Sequence, residues 1–142
     1  MGREVRKVAA TWQHPKDGGR YKPLYEGYAE ALVEFETKQH AEGMQAAIEE
    51  FGQAPDKNDY MPEWSEAEKT HLQMYETCTE GTPISPVMES PEKLARWLTD
   101  NGASAFGGMT ASYDAWLRVC EGGYAPSAII IGGELKSGVE LP

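Results

Sequence analysis

His71, Cys78 and Ser85, with Glu76 and Glu80 between them, bring a base, two nucleophile types and two carboxylates into one short stretch. An imidazole beside a hydroxyl or thiol is the minimum for acyl or group transfer, so a small hydrolase or transferase using His71 with the Glu76–Ser85 region is one reading. No Gly-x-Ser-x-Gly elbow presents the nucleophile, and no local element holds the base against it. No catalytic residue is therefore assigned. The same stretch also reads as a recognition loop, in which Glu76, Thr79, Glu80, Thr82 and Ser85 bind a partner while Pro83 and Pro86 stiffen the backbone. At its simplest it is a solvated connection.

The metal ligand types His14, His40, His71, Cys78 and Cys120 lack the short paired spacings by which one element presents two ligands to one ion. Neither a metal nor a cofactor is expected. Cys78 and Cys120 lie far apart in ordinary periodic segments and read as reduced thiols of a reducing compartment. Gly102, Gly107 and Gly108 match neither a Walker loop nor a Rossmann fingerprint and read as turn residues, with Phe106 tucked under their linker.

Charge is the strongest compositional signal. The 142 residues carry a net charge of −10, unevenly placed. Residues 1–25 are basic, with six Lys or Arg against Glu4 and Asp17, whereas residues 26–80 hold 14 acids against three bases. The acidic middle repels phosphate backbones and attracts basic protein surfaces, so duplex nucleic acid is not an expected partner. Glu30, Glu34 and Glu42 are the helical residues expected to meet such a surface. Trp12, Tyr21 and Tyr25 in the basic segment suit stacking on single strands. The neighbouring negative charge favours the alternative, in which these aromatics pack on a sheet and the bases pair with the acidic helix. No run approaches the roughly 20 apolar residues that span a membrane, and no apolar stretch follows the first basic residues as a secretory signal requires. A cytoplasmic location is expected.

The elements that must position these residues read as a single α+β domain. Val5–Trp12 predicts a short strand, followed by a turn at His14–Arg20 where Asp17-Gly18-Gly19 supplies positive φ. Tyr21–Tyr25 reads as a second extended piece. From Glu26 to Gln53, apolar residues recur at helical spacing among glutamates, which predicts one long acidic helix with Gly43 as the expected kink or interruption. A loop follows, and Ser65-Glu66-Ala67-Glu68 offers a capping box and at least a turn of helix. His71–Thr77 fits alternation as well as helical spacing, with strand preferred, and Ile84–Met88 with its internal Pro86 is confined to an edge strand or connector. Two short helices are expected in the C-terminal half. One spans Pro91–Asn101 behind Ser90, and the other Ala111–Cys120 behind Thr110. Ser127–Ile131 and Glu134–Val139, joined by Gly132-Gly133, predict a β-hairpin.

The motifs Asp59-Tyr60-Met61-Pro62-Glu63-Trp64, Thr70–Thr77, Thr79–Val87, Leu94–Gly107, Pro126-Ser127-Ala128 and Ser137-Gly138-Val139 resemble a family of small proteins encoded by tailed bacteriophages and prophages. The resemblance covers residues 59–139, and Trp12-x-His14-Pro15 with Tyr21-x-Pro23-Leu24 extends it weakly toward the N-terminus. It implies a phage or prophage origin and a bacterial cytoplasm. The family brings no established activity and so no catalytic residues. Together with the charge, this points to an accessory protein that binds a host or phage protein with a basic surface. A host defence complex, inhibited in the anti-CRISPR or anti-restriction manner, is one expected target. A virion or assembly component is the further alternative.

Overall fold

Val5 and Val8 in one segment, and Tyr75 in another, are residue types that favour extended backbone. The computed structural model, which describes residues 2–77, 79, 81–105, 109–126, 128–131 and 134–137, pairs them as strands β1 (Gly2–Val8) and β4 (His71–Glu76). Between them in the chain come β2 (Lys16–Asp17), β3 (Arg20–Tyr21), α1 (Tyr28–Glu42) and α2 (Met44–Phe51). After them come β5 (Thr82–Pro83), α3 (Pro91–Asp100), α4 (Tyr113–Gly122), β6 (Tyr124–Pro126), β7 (Ala128–Ile131) and β8 (Glu134–Ser137). This mixture of helices and strands makes the fold α+β. The chain divides into two units, one of Met1–Lys22 with Trp64–Pro142 and one of Pro23–Glu63. The acidic helical region thus falls in the second unit, and the proposed recognition loop in the first.

In the first unit the strand order is β5-β4-β1-β6, with neighbours antiparallel. The register sets Val5 opposite Met74 and Arg3 opposite Glu76 on one face, and Arg6 opposite Gln73 and Glu4 opposite Tyr75 on the other. Met74 joins the core with Leu94 and Leu98 of α3 and Trp116, Val119 and Cys120 of α4. Each large apolar side chain fully buried there contributes about 1.5–3 kcal/mol. Ser90 caps α3 by accepting the Lys93 amide at 3.2 Å, with Pro91 in its first turn. β5 lies at the sheet edge, where its Pro83 removes no central ladder bond. The chain continues along β4, with the Ile84 amide donating to the Met74 carbonyl and Leu72 bridging Met88.

Gly18 and Gly19, at φ 61° and 83°, make the primed turn that joins β2 to β3. β7 pairs antiparallel with β8, Ala128 opposite Ser137 and Ile131 opposite Glu134. Ser127, Gly132, Gly133, Gly138 and Val139, which the expected hairpin includes, lie outside the described residues, as does Phe106.

Three expectations need correction. The long helix is divided into two at Gly43, the residue expected to kink or interrupt it, because Gly43 adopts φ 96° and ψ 164°, a conformation that no helical residue can hold. The second C-terminal-half helix starts at Tyr113, where Ser112 rather than Thr110 accepts the Ala115 amide at 3.2 Å. Ser65–Glu68 closes a turn only. Glu68 Oε1 accepts both the Ser65 amide, at 3.1 Å, and the Ser65 hydroxyl, at 2.9 Å, so the hydroxyl is donated to the carboxylate.

Candidate functional site

Glu30, Glu34, Glu36 and Glu42 on α1 and Glu49 and Glu50 on α2 are all exposed. Glu30, Glu34, Lys38 and Glu42 are spaced by four along α1 and form one stripe, and all three glutamates are exposed. Glu30 and Glu34 repel as an i,i+4 like-charge pair, an unfavourable arrangement on an isolated helix that exposure to water and salt softens. Lys38 offsets the other end: its ammonium lies 2.6 Å from Glu42 Oε2 and 3.0 Å from Glu50 Oε2. Hydrogen bonds that Lys38 donates to Glu42 and then to Glu50 raise its pKa above the ordinary value. Beneath this layer Phe35 is buried and its ring centroid lies 6.2 Å from that of Phe51, which holds α1 against α2. Ten acids against two bases give the Pro23–Glu63 unit a net charge of −8.

The loop residues singled out beside β4 behave differently. Glu76 is half-buried, with Arg3 Nη1 at 3.6 Å from its carboxylate. The Thr79 hydroxyl donates to the Glu76 carbonyl at 3.2 Å and is also hydrogen-bonded to the Thr82 hydroxyl, so Glu76, Thr79 and Thr82 are brought together. Ser85 is buried, and its hydroxyl accepts the Met74 amide at 2.9 Å and donates to the Pro86 carbonyl at 3.0 Å. A hydroxyl committed in both directions splices the edge segment to β4 and is poorly placed to attack a substrate. Glu80 and Cys78 lie outside the described residues. His71 is at the opposite end of β4 from Glu76, roughly 17 Å away along the strand and on its other face. The juxtaposition of His71 with Glu76 that a hydrolase needs is not formed.

A buried polar chain on the second face of the sheet was not foreseen from the sequence. The Tyr75 hydroxyl, completely buried, accepts the Trp12 indole N–H at 3.1 Å and lies 2.8 Å from His14 Nδ1 and 3.0 Å from Gln73 Oε1, two acceptors for its single proton when His14 is neutral. Gln73 Nε2 passes the chain on to the Ser85 carbonyl at 2.8 Å. The Arg6 guanidinium sits 4.3 Å over the Tyr75 ring while its Nε donates to Glu4 at 2.8 Å. The buried arginines Arg3 and Arg6 therefore meet Glu76 and Glu4 within the sheet. Trp12 stacks edge-on against Trp64, and Tyr21 against His14. The signal for this cluster was present only as the pattern Trp12-x-His14, which has no meaning until register brings Tyr75 to it.

Cys120 is buried, and desolvation followed by the nearby Glu121 pushes its thiol up to about 12, which keeps it from acting as a nucleophile near neutral pH. Among the described residues no group of three or more His, Cys, Asp or Glu has metal-binding geometry, and no helix is long and apolar enough to cross a membrane. No family model matches the chain, and no curated protein or solved structure is significantly similar to it.

Proposed function

We propose that this chain is an accessory protein of phage or prophage origin that works in the bacterial cytoplasm by binding a protein with a basic surface through the carboxylates of α1 and α2. A host defence complex is the expected target class, because proteins that grip nucleic acid present basic surfaces complementary to an acidic one. The observation that carries this reading is the concentration of negative charge in Pro23–Glu63, where Glu30, Glu34 and Glu42 are all exposed and Lys38 compensates only part of the charge. The Glu76–Thr82 cluster is a secondary contact at most, since its polar groups are largely engaged with one another and with Arg3. Pull-down from host lysate at low and high salt tests the reading, comparing the natural chain with a triple variant carrying Glu30→Lys, Glu34→Lys and Glu42→Lys. A partner recovered at low salt, weakened at high salt and lost in the variant is the expected result. Recovery of no partner at either ionic strength, or equal recovery by the variant, rejects it.

A further inference from the structure

The α1–α2 face carries more than charge. Val33 is 61% exposed, Met44 47%, Ile48 44% and Phe51 42%. Met44, Ile48 and Phe51 are spaced by four and three, which places them in one stripe on α2, and Val33, Thr37 and Ala41 form a matching stripe on α1. Val33, Ala41 and Phe51 line a common cleft of about 430 Å³, so the α2 stripe runs into the α1 cleft through Phe51. Glu34, Glu42 and Glu50 also line it, and Lys38 bridges Glu42 to Glu50. Contiguous exposed apolar side chains ringed by charge mark an interaction surface rather than chance exposure.

We propose that this cleft takes the apolar face of a cationic amphipathic helix belonging to another protein. The inference rests on the acidic-face reading above and adds the chemical form of the partner. Charge complementarity selects the occupant. A second copy would set one net charge of −8 against another, and phosphate backbones and anionic lipid surfaces are repelled for the same reason. A helix with lysines or arginines flanking an apolar stripe instead meets Glu34, Glu42 and Glu50 while its apolar side chains reach Val33, Ile48 and Phe51. The eight residues of α2 make about two turns, which matches the i, i+3/i+4, i+7 anchors by which such helices seat in grooves. Met44, unbranched and polarizable, lets the surface adapt to the incoming side chains.

Fluorescence anisotropy with the full chain tests this, using a synthetic Lys/Leu amphipathic helix as one probe and a scrambled peptide of identical composition as the other. The expected result is that the amphipathic peptide binds at least about tenfold more tightly than the scrambled one. Ile48→Asp should weaken it by roughly tenfold although the substitution adds negative charge, with Val33→Asp as the second variant and circular dichroism confirming that each remains folded. Salt-sensitive but equal binding of both peptides leaves the acidic face standing and overturns the helix-docking proposal, as does tighter or unchanged binding by both variants. Binding of neither peptide at low ionic strength removes the acidic-face reading and this one with it. Concentration-dependent dimerisation abolished by Ile48→Asp also overturns the proposal, because a second copy then occupies the cleft.

Discussion

Lys38 Nζ lies 3.0 Å from Glu50 Oε2 and so ties α1 to α2 across the Gly43 break. With Glu42 also at 2.6 Å, one cation serves two carboxylates, and its raised pKa means that this stabilisation is complete below the ordinary value of 10.5 and is lost only as pH rises through the folded-state value. The contact is solvent-facing and screened. Lys38→Met should therefore lower the melting temperature by only a degree or two at low ionic strength, and the difference from the natural chain should vanish in high salt. The same variant should bind a cationic peptide more tightly, since it removes the compensating charge from the cleft.

Gly43 decides whether the acidic region is one helix or two. At φ 96° and ψ 164° it occupies a region essentially closed to residues with a Cβ, although a Cβ there would meet no atom within 4 Å. If the break reflected weak helix propensity alone, alanine would fuse the helices and stabilise the protein. The backbone strain instead predicts that Gly43→Ala destabilises by about 1–3 kcal/mol, read from urea unfolding. A gain in both stability and helical circular dichroism would contradict it.

The Tyr75 hydroxyl is the hub of the chain from Trp12 and His14 to Gln73. Tyr75→Phe keeps the ring under Arg6 but strips buried polar groups of their shared partner. A loss of about 1–3 kcal/mol is expected in urea unfolding, larger than for removal of an exposed hydroxyl. A neutral outcome would mean that water or a rearranged Gln73 takes over the site.

His14 should make stability depend on pH. Burial is the largest cause lowering its pKa below 6.5, its hydrogen bond to the Lys22 carbonyl opposes that, and the Arg6 charge lowers it further. Above the unfolded value neither state is protonated at this residue, and the contribution is intact. As pH falls through 6.5 toward the folded value, the unfolded chain takes up a proton that the folded chain does not, so stability falls. Urea midpoints measured from about pH 7 to pH 5 should decline, and His14→Gln should reduce that decline. An identical profile in the variant would assign the decline to other groups.

The elements written in local chemistry were legible in the chain. Ser90-Pro91-Glu92 announced α3 and Asp17-Gly18-Gly19 the turn between β2 and β3, whereas the spacing of Leu72, Met74 and their neighbours favoured the strand β4 over a helix without deciding between them. Gly43 was recognised as a weak point, but its positive φ was not, since propensity measures cost and not conformation. Ser65–Glu68 had the composition of a capping box without a helix behind it, because the three residues after it carry no apolar face to bury. Among the proposed site residues, exposure of Glu30, Glu34 and Glu42 followed from their helical spacing. The burial of Ser85 did not, because a serine beside a proline gives no hint that a strand amide will claim its hydroxyl.

By itself the sequence settled the charge and its concentration in one region, since these are sums over residues that folding cannot alter, and it settled the Ser90 cap and the Gly18-Gly19 turn, whose hydrogen bonds close within a few residues. Only the tertiary structure decided that Arg3 meets Glu76, that His14 finds Tyr75, and that apolar side chains of α1 and α2 stay exposed beside the carboxylates. Those relationships join residues whose separation in the chain or in helical phase carries no local signal. Strand register and the Gly43 turn fix them, and both are properties of the assembled fold.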